Sequence, residues 1–411
     1  MTRAALCIWI LSALVCVGRG DHHEGHDMGG QDTAVDSSDN SASLLASANQ
    51  DFAFRLYEKL AAHADSQGKN IFFSPASVSV ALAALSVGAR GETHRQLFGG
   101  LGFNNSQLTQ ENVNQAFHTL LQKSVTNEDT NAGTAVFVDN RLKPEPDFLD
   151  VLKNSYFAEG FNVDFTKTPD SANTINKYVS NKTNGKIEKL VENLDPNTVM
   201  CLISYIYFKG KWEKPFDAEL TKEDTFHVNE NTKVQVQMMN REANVDIYHD
   251  QAINTSVLHL PFNGSYSMLL ILPDDMAALE KVICPGHVTK WLKWMKSRKY
   301  DIYVPKFSIK SSYTLNDILI QMGMTDMFGD RADLSGISGG QKLTVSDVVH
   351  QATLDVDEAG ATAAAATGVI IMLMSYRHIP VLKFNRPFMT VITERATNEI
   401  LFMGKIINPT I

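Results

Sequence analysis

One stretch near the carboxyl end sets this sequence apart: Leu354-Asp-Val-Asp-Glu358, typical of the end of a strand, followed by Ala359-Gly-Ala-Thr-Ala-Ala-Ala-Ala-Thr-Gly368. The second part has ten residues, none of them larger than threonine. Val369–Met374 is then wholly apolar, and Ser375–Pro380 is polar and typical of a turn. Alanine favours helix, so one interpretation is a short helix followed by a core strand, although the two glycines of the run weaken a helix.

A second interpretation is an exposed loop that can become a strand at a later stage. Small side chains lose little conformational entropy when they are ordered, and they let a segment enter between two strands already in place. Side chains alternate along a strand, so Ala361, Ala363, Ala365 and Thr367 would face the interior. A charged or bulky group would be costly there. The composition of the stretch favours this insertable loop.

The surrounding segments indicate helices mainly in the first half of the chain and strands mainly in the second. Two helices are predicted, one from Leu45, Ala48, Phe52, Leu56 and Leu60 at helical spacing, and one that begins after Ser74-Pro75. Apolar and β-branched runs predict strands at Met200–Phe208, Val257–Leu260, Met268–Leu272, Phe388–Ile392 and Ile400–Ile407, the last two as a hairpin. Because β-α-β alternation is missing, the fold class is α+β.

The amino-terminal region predicts an exported chain. Residues 1–20 have a basic residue, an apolar run of 14 residues and small residues at the end, which is typical of a secretory signal. Residues 21–44 are polar without periodicity and predict a disordered tail, and its His22, His23 and His26 are better explained by solvation than by a metal site. No linker interrupts residues 45–411, so we expect one domain there.

The cysteines and the glycosylation sequons agree with export. Two of the four cysteines lie in the predicted signal peptide and would be removed with it. The other two, Cys201 and Cys284, lie in apolar stretches of the sequence, which predicts buried, inert thiols rather than a disulfide framework. Asn-x-Ser/Thr sequons mark potential glycosylation sites at Asn104, Asn181, Asn254 and Asn263. We therefore expect a secreted, extracellular glycoprotein.

Composition and motifs exclude several function classes. The 411 residues are 44% apolar with a net charge of −9, which is globular and argues against nucleic-acid binding. Lys290–Tyr300 has five basic residues and predicts an amphipathic helix that docks Trp291 and Trp294 on the core, with a polyanion- or membrane-binding helix as the alternative. Gly336-Ile-Ser-Gly-Gly340 matches a hydrolase nucleophile motif but lacks its strand and helix flanks. No cofactor or metal motif is present.

Six ordered motifs across the chain carry a family resemblance. They are Asn70-Ile-Phe-Phe-Ser-Pro-Ala-Ser77, Phe208-Lys-Gly-Lys-Trp-Glu-Lys-Pro-Phe216, Ala332-Asp-Leu-Ser-Gly336, His350 with Glu358-Ala-Gly360, Phe384-Asn-Arg-Pro-Phe388, and Leu401-Phe-Met-Gly-Lys405 with Asn408-Pro409. From about residue 45 to residue 411 the chain resembles the serpin family, and most closely its secreted alpha-1-antitrypsin-like inhibitors. The resemblance implies helices packed around large β-sheets, with an exposed reactive-centre loop at about residues 358–382.

The resemblance also implies roles for loop residues. Glu358 opens the hinge, and the hinge continues through Gly360, Ala361, Ala363, Ala364, Ala365, Ala366 and Thr367. The reactive bond lies 16 positions after Glu358, which makes it Met374–Ser375. Arg377–His378 is the competing site, although it would make the loop three residues too long. Ala361 replaces the threonine or serine that is usual at the first inserting position, and it keeps that position small.

Five further residues are implied at the place where the loop enters the sheet. Trp212 would lie at the first point of insertion. Ser74, Ser77, Ser204 and His350 would form a buried polar cluster under the opening strands. Ser204 stands where the family usually has an asparagine, so one hydrogen bond of that cluster is left open.

The function implied is that of a secreted suicide substrate for serine proteases, acting as a monomer and without catalytic residues, cofactor or metal of its own. Met374 is unbranched and apolar, which suits elastase-like or chymotrypsin-like proteases. The alternative is a non-inhibitory serpin that carries a small hydrophobic hormone. The hinge favours inhibition, because after Glu358 it holds no charge or proline that would block insertion.

Overall fold

The computed structural model describes residues 33–103, 106–125, 129–339, 342–359 and 379–411. The helices in these ranges are α1 (Thr33–Ala62), α2 (Pro75–Gly88), α3 (Gly91–Leu101), α4 (Gln110–Val125), α5 (Pro146–Tyr156), α6 (Thr168–Lys182), α7 (Met276–Glu280), α8 (Pro285–Trp294) and α9 (Asn316–Gln321). The strands are β1 (Ile71–Phe73), β2 (Thr130–Asp139), β3 (Glu159–Val163), β4 (Met200–Phe208), β5 (Lys222–His227), β6 (Lys233–Asp250), β7 (Thr255–Pro261), β8 (Tyr266–Pro273), β9 (Lys296–Pro305), β10 (Phe307–Thr314), β11 (Asp347–Val356), β12 (Val381–Lys383), β13 (Phe388–Glu394) and β14 (Ile400–Ile406).

Several predictions fall on residues that the structure does not describe. These are the signal at 1–20, the tail up to residue 32, Asn104, the hinge from Gly360 to Thr367, and both candidate reactive bonds, Met374–Ser375 and Arg377–His378. Ala359 is the last described residue before this gap, and Ile379 is the first after it.

The first helix is confirmed, but its predicted start is wrong. The disordered tail was expected to continue to residue 44, whereas α1 begins at Thr33. Leu45, Phe52 and Leu56 are almost fully buried in the core and anchor the carboxyl-terminal part of the helix. Once such a segment is helical, each added residue gains a backbone hydrogen bond without a new nucleation cost. The helix can therefore extend through the polar residues before Leu45.

The second helix follows its capping signal. The Ser74 side chain accepts a hydrogen bond from the Ser77 backbone N–H, and Pro75 takes the first helical position. All but one of the helix residues are buried. A helix that is apolar on every side belongs in the interior, and α2 accordingly lies between the other helices and the sheets.

The smaller sheet has five strands in the order β10-β11-β4-β2-β3. Its two central neighbours, β4 and β11, run parallel, with a register from Asp347 opposite Cys201 to Leu354 opposite Phe208. β10 pairs antiparallel with β11, and β2 pairs antiparallel with β4. We call the parallel boundary between β4 and β11 the seam.

The larger sheet has nine strands in the order β1-β14-β13-β8-β7-β6-β9-β12, with β5 also paired to β6. Every pairing is antiparallel except the short one between β12 and β9. The predicted strands in β4, β7, β8, β13 and β14 are confirmed, as is the hairpin between the last two. The α+β class is confirmed as well.

The basic segment Lys290–Tyr300 differs from its prediction. The helix α8 ends at Trp294 and the chain continues as β9, because residues from Lys296 onward pair with β6. Trp291 is fully buried as expected, but 56% of the Trp294 surface is exposed. Sheet pairing therefore overrides the helical periodicity, and only one tryptophan docks on the core.

The two described cysteines are free thiols. Cys201 is fully buried in β4, and burial raises the pKa of its thiol. Cys284 was also predicted to be buried but is only half-buried, at the position just before α8 begins. Its Sγ lies 3.4 Å from His287 Nδ1.

Candidate functional site

The carboxyl-terminal end of β11 is held against Trp212. The Trp212 backbone N–H donates to the Ala359 carbonyl oxygen over 3.0 Å, and its indole Nε1–H donates to the Asp357 carbonyl oxygen over 2.7 Å. The indole stacks on Phe262 with ring centroids 4.3 Å apart and is 2% exposed. The tryptophan therefore fixes the backbone at the point where the chain leaves the five-stranded sheet.

Glu358 is bound by groups from two other segments. Its carboxylate accepts hydrogen bonds from Lys306 Nζ at 2.9 Å and Thr221 Oγ1 at 2.8 Å. The Phe216 backbone N–H donates to its carbonyl oxygen over 3.1 Å. Burial opposes ionisation, but the hydrogen bonds from Lys306 and Thr221 outweigh it and keep the pKa of Glu358 below its usual range. The carboxylate is thus charged and anchored at neutral pH.

Four of the expected polar residues lie together beneath the seam. The Ser74 backbone N–H donates to His350 Nε2 over 3.0 Å, so the ring proton is on Nδ1, which lies 3.0 Å from Ser204 Oγ. The Ser204 hydroxyl is 2.7 Å from Ser77 Oγ and can donate to it. Ser204 thus contacts both neighbours, and the hydrogen bond left open by the missing asparagine is made.

This polar cluster joins the two sides of the seam. Ser204 on β4 is the register partner of His350 on β11, and both side chains face α2. Burial lowers the pKa of His350 to about 3, so the imidazole is neutral at physiological pH. Separation of β4 from β11 must break the contact between Ser204 and His350.

The geometry and the sequence agree with one family. The sequence model of the serpin (serine protease inhibitor) family matches residues 47–409. The chain belongs to the serpin family. Kallistatin of Pongo abelii is 40% identical over 98% of this chain and 97% of the kallistatin chain. An alpha-1-antitrypsin-like protein of Tamias sibiricus is 38% identical, over 98% of this chain and 97% of that protein.

Solved serpin structures have the same fold. Human glycosylated kallistatin matches with a TM-score of 0.82 at 39% identity, over 90% of this chain and 99% of that chain. Human thyroxine-binding globulin, solved in complex with thyroxine, matches with a TM-score of 0.83 at 33% identity, over 90% of this chain and 100% of that chain. The predicted serpin resemblance and fold are confirmed. Members of the family are generally protease inhibitors rather than enzymes.

Three sequons of this serpin lie in described residues. Asn181 in the last turn of α6, Asn254 before β7 and Asn263 between β7 and β8 are all exposed. Their surfaces are therefore open to a glycan. Glycosylation itself stays a prediction.

The hydrolase motif does not form a Ser-His pair. Ser338 lies in a turn region, with neither a strand before it nor a helix after it, and it is 5% exposed. Both ring nitrogens of His350 are engaged by Ser74 and Ser204 instead. Across the described ranges no cluster of three metal-ligating side chains occurs, and no helix there is long and apolar enough to span a bilayer.

Sequence reasoning missed the partners of Glu358. Lys306 and Thr221 lie 52 and 137 positions away along the chain, and neither stands in a motif that marks it. It also missed Gln351 on β11, which is fully buried while neither its amide oxygen nor its amide nitrogen has a hydrogen-bond partner among the described residues. A glutamine inside a strand pattern gives no local sign of such burial.

Proposed function

We propose that this serpin is a secreted suicide-substrate inhibitor of serine proteases, cleaved at Met374–Ser375. The observation that supports it most is the seam. A strand that turns back from the end of β11 at Ala359 would run antiparallel to β11 and, because β4 is parallel to β11, antiparallel to β4 as well. Antiparallel pairs are slightly more stable per residue than parallel ones. Insertion would replace one parallel boundary with two antiparallel ones.

The loop has the length that such an insertion needs. Cleavage after Met374 frees residues 360–374, which are 15 residues or about 50 Å of extended chain. β11 has 10 residues, or about 33 Å. The freed segment can therefore turn and still pair along the whole of β11.

The proposed steps leave catalysis to the protease. The protease serine attacks the Met374 carbonyl carbon, the bond to Ser375 breaks, and the new amine of Ser375 leaves with the carboxyl-terminal segment. Met374 stays joined to the protease as an ester. Insertion of residues 360–374 then carries the protease away from its docking place, and it succeeds when it is faster than hydrolysis of that ester.

The free energy for insertion comes from the native fold in this proposal. Each new backbone hydrogen bond contributes on the order of 1 kcal/mol, and ordering each residue costs about as much. The loop alone therefore supplies little. The parallel seam and the unpartnered Gln351 are sources of native-state instability that insertion can relieve.

The proposed targets are proteases with apolar primary pockets, of the elastase or chymotrypsin type, because Met374 is apolar and unbranched. The test is incubation of the secreted, full-length protein with pancreatic elastase, chymotrypsin and trypsin, followed by denaturing electrophoresis and mass spectrometry of the released peptide. We expect an SDS-stable complex with elastase or chymotrypsin and a released peptide that begins at Ser375. Clipped protein without a complex would contradict inhibition, and a peptide that begins at His378 would move the reactive bond.

A cavity and one structural neighbour favour a second candidate, transport of a small hydrophobic ligand. The cavity has a volume of about 440 Å³ and is lined by Leu45, Val80, Leu120, Tyr156 and Tyr205, with Glu399 also in its lining. Its size is within the range of ligand sites. Thyroxine-binding globulin, a carrier by its name, has the same fold. Titration with thyroxine and with a steroid tests this candidate, and binding without any protease complex would favour it.

A further inference from the structure

Tyr207 near the end of β4 reaches across the seam to β11. Its phenol donates a hydrogen bond to Asp355 Oδ2 over 2.9 Å. The register sets Tyr207 opposite Thr353, so the phenol spans one strand boundary and two positions along β11. A hydrogen bond to a carboxylate is stronger than one between neutral groups. This contact therefore ties the two strands together through side chains.

Asp355 and Tyr207 are both held in place by further neighbours. Ser308 on β10 donates to Asp355 Oδ1 over 2.6 Å, which fixes the carboxylate from the side away from the seam. Tyr207 is 6% exposed, and Lys186 Nζ lies 5.6 Å from the centre of its ring. Tyr207 is thus shielded and Asp355 is half-buried, in contrast to the neighbouring ion pair of Lys209 and Asp357, whose lysine side chain is 45% exposed. Water and salt weaken the exposed pair more.

We propose that Tyr207 and Asp355 form a seam latch, which controls how fast the seam opens for the cleaved loop. This proposal rests on the proposed inhibitory function. Neighbouring strands lie about 4.8 Å apart, so an added strand moves β4 and β11 to about twice that spacing. A 2.9 Å hydrogen bond between Tyr207 and Asp355 does not survive that separation.

Within the paired parts of β4 and β11, the latch is the first side-chain contact that insertion must break. Insertion starts at Ala359, and Asp355 lies only four residues before it, whereas the contact of Ser204 with His350 is nearer the middle of the seam. Unpartnered Gln351 and Thr353 lie on the same strand between these two contacts. On the face of β11 that carries Gln351 and Thr353, the middle of the seam therefore has little side-chain bonding. Once the latch has broken, little on this face resists further opening, so the latch limits the start of opening.

Tyr207→Phe removes the latch and leaves the ring in place. The matched control is Tyr303→Phe, because Tyr303 also donates to a carboxylate, that of Asp301, over 3.0 Å, but within the single strand β9 of the other sheet. Single-turnover mixing with excess elastase reports insertion through tryptophan fluorescence, since Trp212 contacts Ala359. We expect insertion about tenfold faster in Tyr207→Phe and within about twofold of wild type in Tyr303→Phe. Equal rates in the two variants would overturn the latch.

Hydrogen exchange of the uncleaved protein separates the latch from the proposed function. Loss of the latch should speed exchange about tenfold in peptides of β4 and β11 and leave β6 and β9 unchanged. If wild type traps no protease while this local change occurs, the inhibitory function is wrong and the latch stands. Unchanged exchange in β4 and β11 overturns the latch whatever the protease result. Asp355→Asn, which keeps an oxygen acceptor, should give an intermediate change, and it replaces Tyr207→Phe if that variant does not fold.

Discussion

The central strands of the two sheets are held together in different ways. The central strands of the nine-stranded sheet pair antiparallel and bury apolar side chains on both faces, as in β8, where all eight residues are buried. The centre of the five-stranded sheet is a parallel boundary bridged by polar contacts, namely Ser204 with His350 and Tyr207 with Asp355. Apolar packing spreads its stabilisation over many atoms, whereas a few polar contacts can be broken one after another.

The comparison indicates which sheet can change its conformation at a low cost in free energy. Opening the nine-stranded sheet would expose a continuous aromatic and aliphatic core that includes Leu270, Phe388 and Phe402. Opening the seam breaks a single parallel boundary with its few polar contacts and leaves the antiparallel pairs on either side intact, although β4 and β11 also bury apolar side chains such as Ile206 and Leu354. The five-stranded sheet is therefore the one suited to accept another strand.

The strongest test of this contrast changes the segment that would enter the seam. Ala363→Arg or Ala365→Glu should leave the protein folded but abolish the SDS-stable complex, because a charge facing the interior stops insertion. The protease then releases a clipped chain. Electrophoresis after incubation with elastase measures the ratio of complex to clipped protein. Ala365→Ser is the matched control and should keep the complex, and a complex formed by Ala365→Glu would rule out insertion of this segment.

A change at the reactive bond should alter the target but not the seam. Met374→Arg is expected to shift inhibition from elastase-like to trypsin-like proteases, with a change of at least about tenfold in each association rate, because the primary pocket selects for this side chain. The rate of insertion after cleavage should stay as in wild type. Association rates with elastase and trypsin measure the shift, with Met374→Leu as the control. Unchanged inhibition of elastase would show that the reactive bond is misassigned.

Two buried groups, His350 beneath the seam and Glu399 beside the nine-stranded sheet, should make stability depend on pH in opposite directions. His350 beneath the seam has a pKa of about 3 in the folded protein and about 6.5 when unfolded, so its contribution to stability is full above pH 6.5 and falls as the pH drops from 6.5 toward 3. Glu399, before β14, is buried and hydrogen-bonded to Asn49, and burial raises its pKa to about 7 from 4.5. Its contribution is full below pH 4.5 and is lost as the pH rises through 7.

Variants at these positions separate the opposing contributions. When the pH falls from 6.5 to 5, the free energy of unfolding of Glu399→Gln should decrease by about 2 kcal/mol relative to the change in wild type. That of His350→Gln should increase by about as much relative to wild type. Each variant removes one of two contributions that nearly cancel in this range. Urea denaturation at the two pH values measures both changes. Changes of the same sign in both variants would contradict the assignment.

The smallest expected effect concerns unpartnered polar groups in each sheet. Gln351→Met removes two unsatisfied groups from the seam strand, and Thr390→Val removes one from β13 of the other sheet. Both should raise the free energy of unfolding, by about 1 kcal/mol. Only Gln351→Met should also slow insertion, because only Gln351 lies beside the seam. Denaturation and the complex fraction measured together check this, and equal insertion rates in the two variants would remove Gln351 as a source of instability.

Local sequence signals predicted much of the fold. Helical spacing from Leu45 to Leu60, the capping pair Ser74-Pro75 and the apolar run Met200–Phe208 all form the expected elements. The errors fall where neighbours in space compete with local preference. The chain turns into β9 at Lys296 because β6 pairs with it, and α1 extends back to Thr33 because the following residues are anchored in the core.

By itself, the sequence determined the elements, the family and the small-residue character of the loop, since these depend on periodicity, capping and side-chain size over a few neighbouring residues. The parallel direction of β4 and β11 and the polar contacts between them were decided only by the tertiary structure. Those contacts join residues 146 and 148 positions apart, Ser204 with His350 and Tyr207 with Asp355. No local pattern encodes which distant side chains meet, because strand order and register arise from packing of the whole core.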